Sequence, residues 1–192
     1  MNRLIIGTGN LGKVIEIRSA LGEIPGWTLE PVAPDIPGIE ETGETFIANA
    51  ELKARHYSRY VRDLTLADDS GLCVAALGGR PGVHSARYAP DPPSRIQRLL
   101  GEMRSVDDHN RSAVFYCALS LARNGDVIWT VQGEVTGVIA RSPAGTGGFG
   151  YDPVFFLPEL NATMGQLSTE QKDRLSARGK AVAELRKYLV NY

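Results

Sequence analysis

A chain of 192 residues, 43% of them apolar and 22% charged, is long enough for one good-sized core, or two lobes sharing a sheet, and too short for several independent domains. With 21 Lys and Arg against 22 Asp and Glu, the net charge of -1 supplies no basic field for a polyanion, which argues against nucleic acid as the main partner. The longest apolar stretches, such as Val114 to Ala122, fall well short of the roughly 18 residues of a membrane span, and no signal-peptide pattern precedes the strand-like run at Leu4, so no membrane partner and a cytoplasmic location are expected.

Arg3 to Thr8 is a short apolar β-like run, followed by a Gly/Asn turn and a helical pattern that puts Val14, Ile17 and Leu21 on one face. A second strand is predicted over Trp27 to Val32. A Pro- and acid-rich loop from Pro34 to Gly43 then leads into a helix from about Thr45 to Arg62, on which Thr45, Asn49 and Lys53 share one i, i+4 row. Leu64 to Leu77 reads as a strand, an acidic break at Asp68 and Asp69, and another strand, before a Gly/Pro-rich connection and a short helix near Pro93 to Met103. Arg111 to Arg123 and Val127 to Ala140 are two long β-like runs. They meet at Asn124-Gly125, a hairpin signal because both residues tolerate positive φ. A short strand at Val154 to Leu157 follows, and Ser168 with Gln171 predicts a capping box for a C-terminal helix running to about Val190. Cys73 and Cys117 lie in apolar runs as buried free thiols, and His56, His84 and His109 stand apart, so neither a zinc spacing nor a nucleophile–histidine pair is legible.

Two clusters carry chemistry. Gly7 to Lys13 follows a strand and opens a helix, which turns backbone N–H groups and the helix N-terminus toward a phosphate. The same residues fit a dinucleotide fingerprint through Gly7, Gly9 and Gly12, with Glu30 as the ribose acid, and a P-loop in which Val14 stands where a hydroxyl is needed. The long hairpin argues against the dinucleotide reading, because it replaces the βαβ alternation of a second mononucleotide half. Asp68 and Asp69 should emerge at a strand end, where adjacent carboxylates repel unless a cation attends them. Oxygen ligands of this kind suit Mg²⁺, with Glu40 or Glu41 as a further donor; an Asx-type turn is the bland alternative.

TGNLGK at Thr8 to Lys13, EETGETFIANAELKA at Glu40 to Ala54, ADDSGL at Ala67 to Leu72, GGRPGVHSARYA at Gly78 to Ala89, PAGTGGFGYDPVF at Pro143 to Phe155 and LSTEQKDRLSARG at Leu167 to Gly179 occur in one order. Taken together they resemble the inosine/xanthosine triphosphate pyrophosphatase family, enzymes that remove noncanonical purine nucleotides. The resemblance implies an α/β fold with an elongated mixed β-sheet and flanking helices, forming two lobes around a central cleft in one domain over residues 1–192, usually as a homodimer. It also implies Mg²⁺-dependent cleavage of a purine nucleoside triphosphate between the α and β phosphates.

By the same resemblance, Thr8, Gly9, Asn10, Leu11, Gly12 and Lys13 form the triphosphate cradle, Lys53 adds a second cation and Ser70 joins the substrate contacts. Glu40 and Asp69 become the magnesium ligands, and Asp69 the acceptor of the attacking water's proton, with Asp68 in support. Phe149, Gly150, Tyr151 and Asp152 become the base-recognition segment, with Lys172 and Arg178 completing it. The chain departs from the family pattern at Ala177, where most relatives have His, at Cys73 and Ala75, where an acid is common, and at Gln166, which replaces a glutamate.

Overall fold

The computed structural model describes residues 1–192. Its strands are β1 (Asn2–Ile6), β2 (Trp27–Pro31), β3 (Leu64–Val74), β4 (Ser112–Arg123), β5 (Asp126–Ile139), β6 (Phe155–Leu157) and β7 (Ala162–Thr163). They form one mixed sheet of order β2-β1-β3-β4-β5-β6-β7. The helices are α1 (Leu11–Leu21), α2 (Phe46–Tyr57), α3 (Pro92–Glu102), α4 (Thr169–Leu175) and α5 (Ala177–Val190), with short 3₁₀ turns in several of the connections after β3. The chain divides into two compact units, one made of Met1–Asp69, Cys117–Gly133 and Ala177–Tyr192, the other of Ser70–Tyr116 and Glu134–Ser176.

In the first unit β1 pairs in parallel with both β2 and β3, Ile6 lying opposite Pro31 and Leu66. Leu4, Ile6, Leu64 and Leu66 are fully buried, as expected of parallel strands covered on both faces. Helices α1 and α5 pack together, and Val14, Ile17 and Leu21 of α1 and Ala181, Val182, Leu185 and Leu189 of α5 are buried. The start of α1 is set by Asn10, whose side chain accepts from Lys13 N; the start of α2 is set by Thr45, which accepts from Ala48 N. Asn124 and Gly125 take the positive φ values the hairpin requires, and Ser58 Oγ accepts from Gly125 N at 2.9 Å.

In the second unit β5 continues antiparallel to β6, and β6 to β7. The predicted Ser168–Gln171 capping box is present. The helix it starts stops at Leu175, because Ser176 adopts an extended backbone, and the C-terminal run is therefore two helices, α4 and α5. Helix α2 also ends earlier than its pattern suggests, at Tyr57. The largest correction concerns the acidic break. Strand β3 runs unbroken through Asp68, Asp69 and Ser70, with both aspartates buried. The parallel partner ends at Ile6, so the carboxylates lie just beyond its edge, while the β4 neighbour keeps β3 extended.

Candidate functional site

The loop after β1 is shaped by close approach at its start and by openness at its middle. Gly7 N donates to Leu66 O at 2.6 Å, and a Cβ on Gly7 would come within 2.7 Å of the Tyr57 ring, so this glycine serves packing. Gly9, Asn10 and Leu11 are exposed, and nothing lies within 4 Å of a Cβ built on Gly9. Thr8 Oγ1 accepts from Asn10 N, and Asn10 Oδ1 from Lys13 N, which pins the turn and orients the first amides of α1 outward along its axis. Gly12 is half-buried in the first turn.

Successive strand residues face opposite ways, and the two aspartates of β3 meet different helices. Asp68 Oδ2 lies 3.0 Å from Lys13 Nζ of α1 and 3.1 Å from Arg178 Nη2 of α5, and Arg178 Nη1 also donates to Glu16 of α1. Asp69 accepts from Asn49 Nδ2 at 3.2 Å and from Lys53 Nζ at 3.3 Å, both on α2, and Lys53 also binds Glu41 at 2.5 Å. The expected repulsion between neighbouring carboxylates is thus relieved by direction and by separate cations. Asp68 is 1% exposed and Asp69 4%, yet their proton affinities diverge. Burial opposes the charge of both. At Asp68 the Lys13, Arg178 and Lys53 cations overcome it and hold the carboxyl well below the usual range. At Asp69 burial prevails over Lys53, with Glu41 and Asp68 adding to it, and the carboxyl is raised. Burial also disfavours the Lys53 ammonium, but Asp68, Asp69 and Glu41 more than offset that and keep it charged.

The predicted residues of the second unit form their own cluster. Asp152 is buried, and its Oδ2 accepts from Phe149 N at 2.8 Å and from Lys172 Nζ at 2.5 Å. Lys172 Nζ lies 5.1 Å from the Phe149 ring centroid, and Phe149 is 37% exposed, so an aromatic side chain and a cation stand side by side. Gly150 has a positive φ, and Tyr151 is buried with its hydroxyl donating to Ser85 O at 2.9 Å. Gly148 sits at φ +72°, and a Cβ there would come 2.1 Å from Asp152 Oδ2 and 2.6 Å from Lys172 Nζ. Gly148→Ala is expected to cost about 1–3 kcal/mol of stability, which a denaturant melt checks.

Arg178 is found with Asp68 and Glu16, and its guanidinium is buried there. Glu40 is exposed, and the neighbouring Glu41 is the acid that meets Lys53. Ser70 follows Asp69 on β3, half-buried. Glu16 carried no signal beyond its i, i+3 spacing from Lys13. Gln166 closes a capping box on Thr163 N at 2.9 Å, and Ala177 is buried as the first residue of α5. Glu30 forms a two-point pair with Arg3, and β5, β6 and β7 pair antiparallel, so the dinucleotide reading finds no support. The thiol of Cys117 is pushed up to about 12 by burial.

The fold and these clusters define a mixed α/β protein in which a glycine loop and a helix N-terminus accompany buried carboxylate–lysine pairs. The Ham1 family profile matches residues 4–188, and the chain belongs to that family. It is 46% identical over 185 residues to a dITP/XTP pyrophosphatase of Gloeobacter violaceus, covering 96% of this chain and 93% of the relative. It is 44% identical over 190 residues to the dITP/XTP pyrophosphatase of Escherichia coli, covering 95% of each. Among solved structures, a HAM1 protein from Coxiella burnetii superposes over 100% of both chains with a TM-score of 0.91 at 37% identity.

Proposed function

We propose that the protein is a nucleoside triphosphate pyrophosphatase that hydrolyses dITP, ITP and XTP between the α and β phosphates, yielding the monophosphate and pyrophosphate and so clearing noncanonical purines from the nucleotide pool. The names of its relatives support the substrate class. The observation that carries the reaction is Asp69, a buried carboxylate of raised proton affinity held between Asn49 and Lys53. A general base works best when its affinity is lifted toward the working pH, and Asp69 is the proposed acceptor of the water's proton. Lys13 and Lys53, with the backbone N–H groups of Thr8 to Gly12 and the Asn10 side chain, supply the positive partners that a triphosphate requires.

Magnesium fits the donors present. Mg²⁺ takes one or two carboxylates and completes its shell with waters and phosphates, and Asp69 and the exposed Glu40 are oxygen donors of that kind. Asp69 and Glu40 are the proposed ligands, and the ion when bound neutralises phosphate charge. Phe149 is read as the stacking face for the purine and Asp152 with Lys172 as its polar partners. Arg178 is engaged instead by Asp68 and Glu16. Cationic donors favour a 6-oxo purine, because the 6-amino group of adenine would set donor against donor. No helix is long and apolar enough to cross a membrane; the proposed setting is the cytoplasm and the proposed assembly a homodimer, which light scattering on the purified protein checks.

Product analysis over dITP, ITP, XTP, ATP and GTP with Mg²⁺ tests the whole reading. Pyrophosphate release with the first three strongly preferred is expected. Orthophosphate release, or equal turnover of ATP, would sink it.

A further inference from the structure

Helix α2 presents Asn49, Lys53 and His56 at i, i+4 and i+7 spacing, along one face, and each holds a point of the acidic loop in reverse order. Asn49 binds Gly43, Lys53 binds Glu41, and His56 Nε2 lies 2.7 Å from Pro37 O. The loop therefore runs antiparallel along the helix. Two of these three anchors, Asn49 and Lys53, are also the two donors to Asp69.

Asn49 is the most constrained of them, with 0% of its surface exposed. Its Oδ1 accepts from Gly43 N at 2.7 Å, and its Nδ2 donates to Gly43 O at 3.2 Å and to Asp69 Oδ2 at 3.2 Å. A carboxamide offers an acceptor oxygen and two N–H donors, and here the oxygen and both N–H groups are engaged. The Gly43 N–H requires an acceptor opposite it, which fixes which end of the amide is oxygen. The nitrogen end is therefore committed to Asp69 by the loop's backbone. Gly43 is part of the arrangement: a Cβ there would come 2.7 Å from Asn49 Oδ1 and 2.9 Å from Ala48 Cβ. With Lys53 on Oδ1 and Asn49 on Oδ2, both carboxylate oxygens of Asp69 are tied to α2, and its plane is set. A second acid at position 49 would oppose carboxylate with carboxylate, and an apolar residue would leave Gly43 N–H and Asp69 Oδ2 without these bonds.

We propose that Asn49 is a positioning residue for Asp69, orienting the proton-accepting carboxylate and coupling it to the acidic loop; this rests on the role of Asp69 given above. A positioning group of this kind is worth about 10–100-fold in activity. The test is steady-state release of pyrophosphate from dITP with Mg²⁺ by wild type, Asn49→Ala, Asp69→Asn and the double variant, with thermal melts of each. The expected result is a fall in kcat of about 10–100-fold for Asn49→Ala with KM little changed, and a double variant no slower than Asp69→Asn alone. Should Asn49→Ala fail to fold, Asn49→Ser, which removes the amide donor to Asp69 and introduces no charge, takes its place in the same cycle with the same expectation. Asn49 acts only through the fold, and the proposal falls, if its substitution costs the same factor in the Asp69→Asn background as in wild type, or if it raises KM and leaves kcat intact. Full turnover by Asp69→Asn is a different failure, one that removes the role of Asp69 itself.

Discussion

Asp69→Asn is expected to abolish most turnover, by about 10²–10⁴-fold in kcat, while leaving the protein as stable as wild type or more so. The substitution keeps the shape and removes the basic oxygen that takes the proton. Its effect on stability follows from the direction of the proton affinity. Asp69 is raised in the fold, first because it is buried and then because Glu41 and Asp68 lie nearby, with Lys53 opposing. A carboxylate whose folded value lies above its unfolded one costs stability at any pH where both states are ionised, and the neutral amide removes that cost. Lys53 keeps Glu41 as a partner, so no buried cation is stranded. The amide does create one conflict, since its N–H₂ end must face either Asn49 Nδ2 or Lys53, both donors; this limits the gain to a small one. Kinetics with dITP and a denaturant melt of the same preparation check the two halves together. A variant that loses activity only in proportion to lost folded protein would contradict the assignment.

The parts of the fold that were legible in the sequence are those decided within a few residues. Asn124-Gly125 specifies its own turn by tolerating positive φ, and Ser168 with Gln171 caps α4. The strand β1, the glycine loop and the apolar face of α1 follow from hydrophobic period in the same way. Asp68 and Asp69 read as a break because two adjacent acids in a strand have no local compensation. Their cations come from α1, α2 and α5, the last of them 110 residues away along the chain, and only chain closure shows that β3 continues between them. Nothing local announces the break between α4 and α5: the residues on either side of Ser176 are good helix formers, and its extended backbone alone ends α4. Glu40 and Glu41 are chemically equal neighbours, and the side-chain direction of Lys53 decides which of them is engaged.

Asp68→Ala is expected to have the opposite signature to its neighbour, a loss of about 3–5 kcal/mol in folding stability. The side chain of Asp68 is wholly buried, and those of its partners Lys13 and Arg178 are nearly so. Removing the carboxylate takes from both cations the anion they share, while Glu16 stays beside the guanidinium. Burial alone would raise the Asp68 carboxyl, but Lys13, Arg178 and Lys53 carry it below its ordinary value. A depressed folded value means that the ionised form stabilises the fold above the unfolded Asp value, about 3.9, and that this contribution fades as pH falls from there through the folded value. The gap between wild type and Asp68→Ala, measured by guanidinium melts, should therefore be full at neutral pH and shrink only in the acid range. Activity should fall as well, because Lys13, a proposed triphosphate partner, would lose the carboxylate that fixes its ammonium. Asp68→Asn, which retains the volume and one acceptor oxygen, should lie between the two. A neutral-pH melt of Asp68→Ala indistinguishable from wild type would show that solvent reaches this centre, and the contrast drawn between the two adjacent aspartates would then fail.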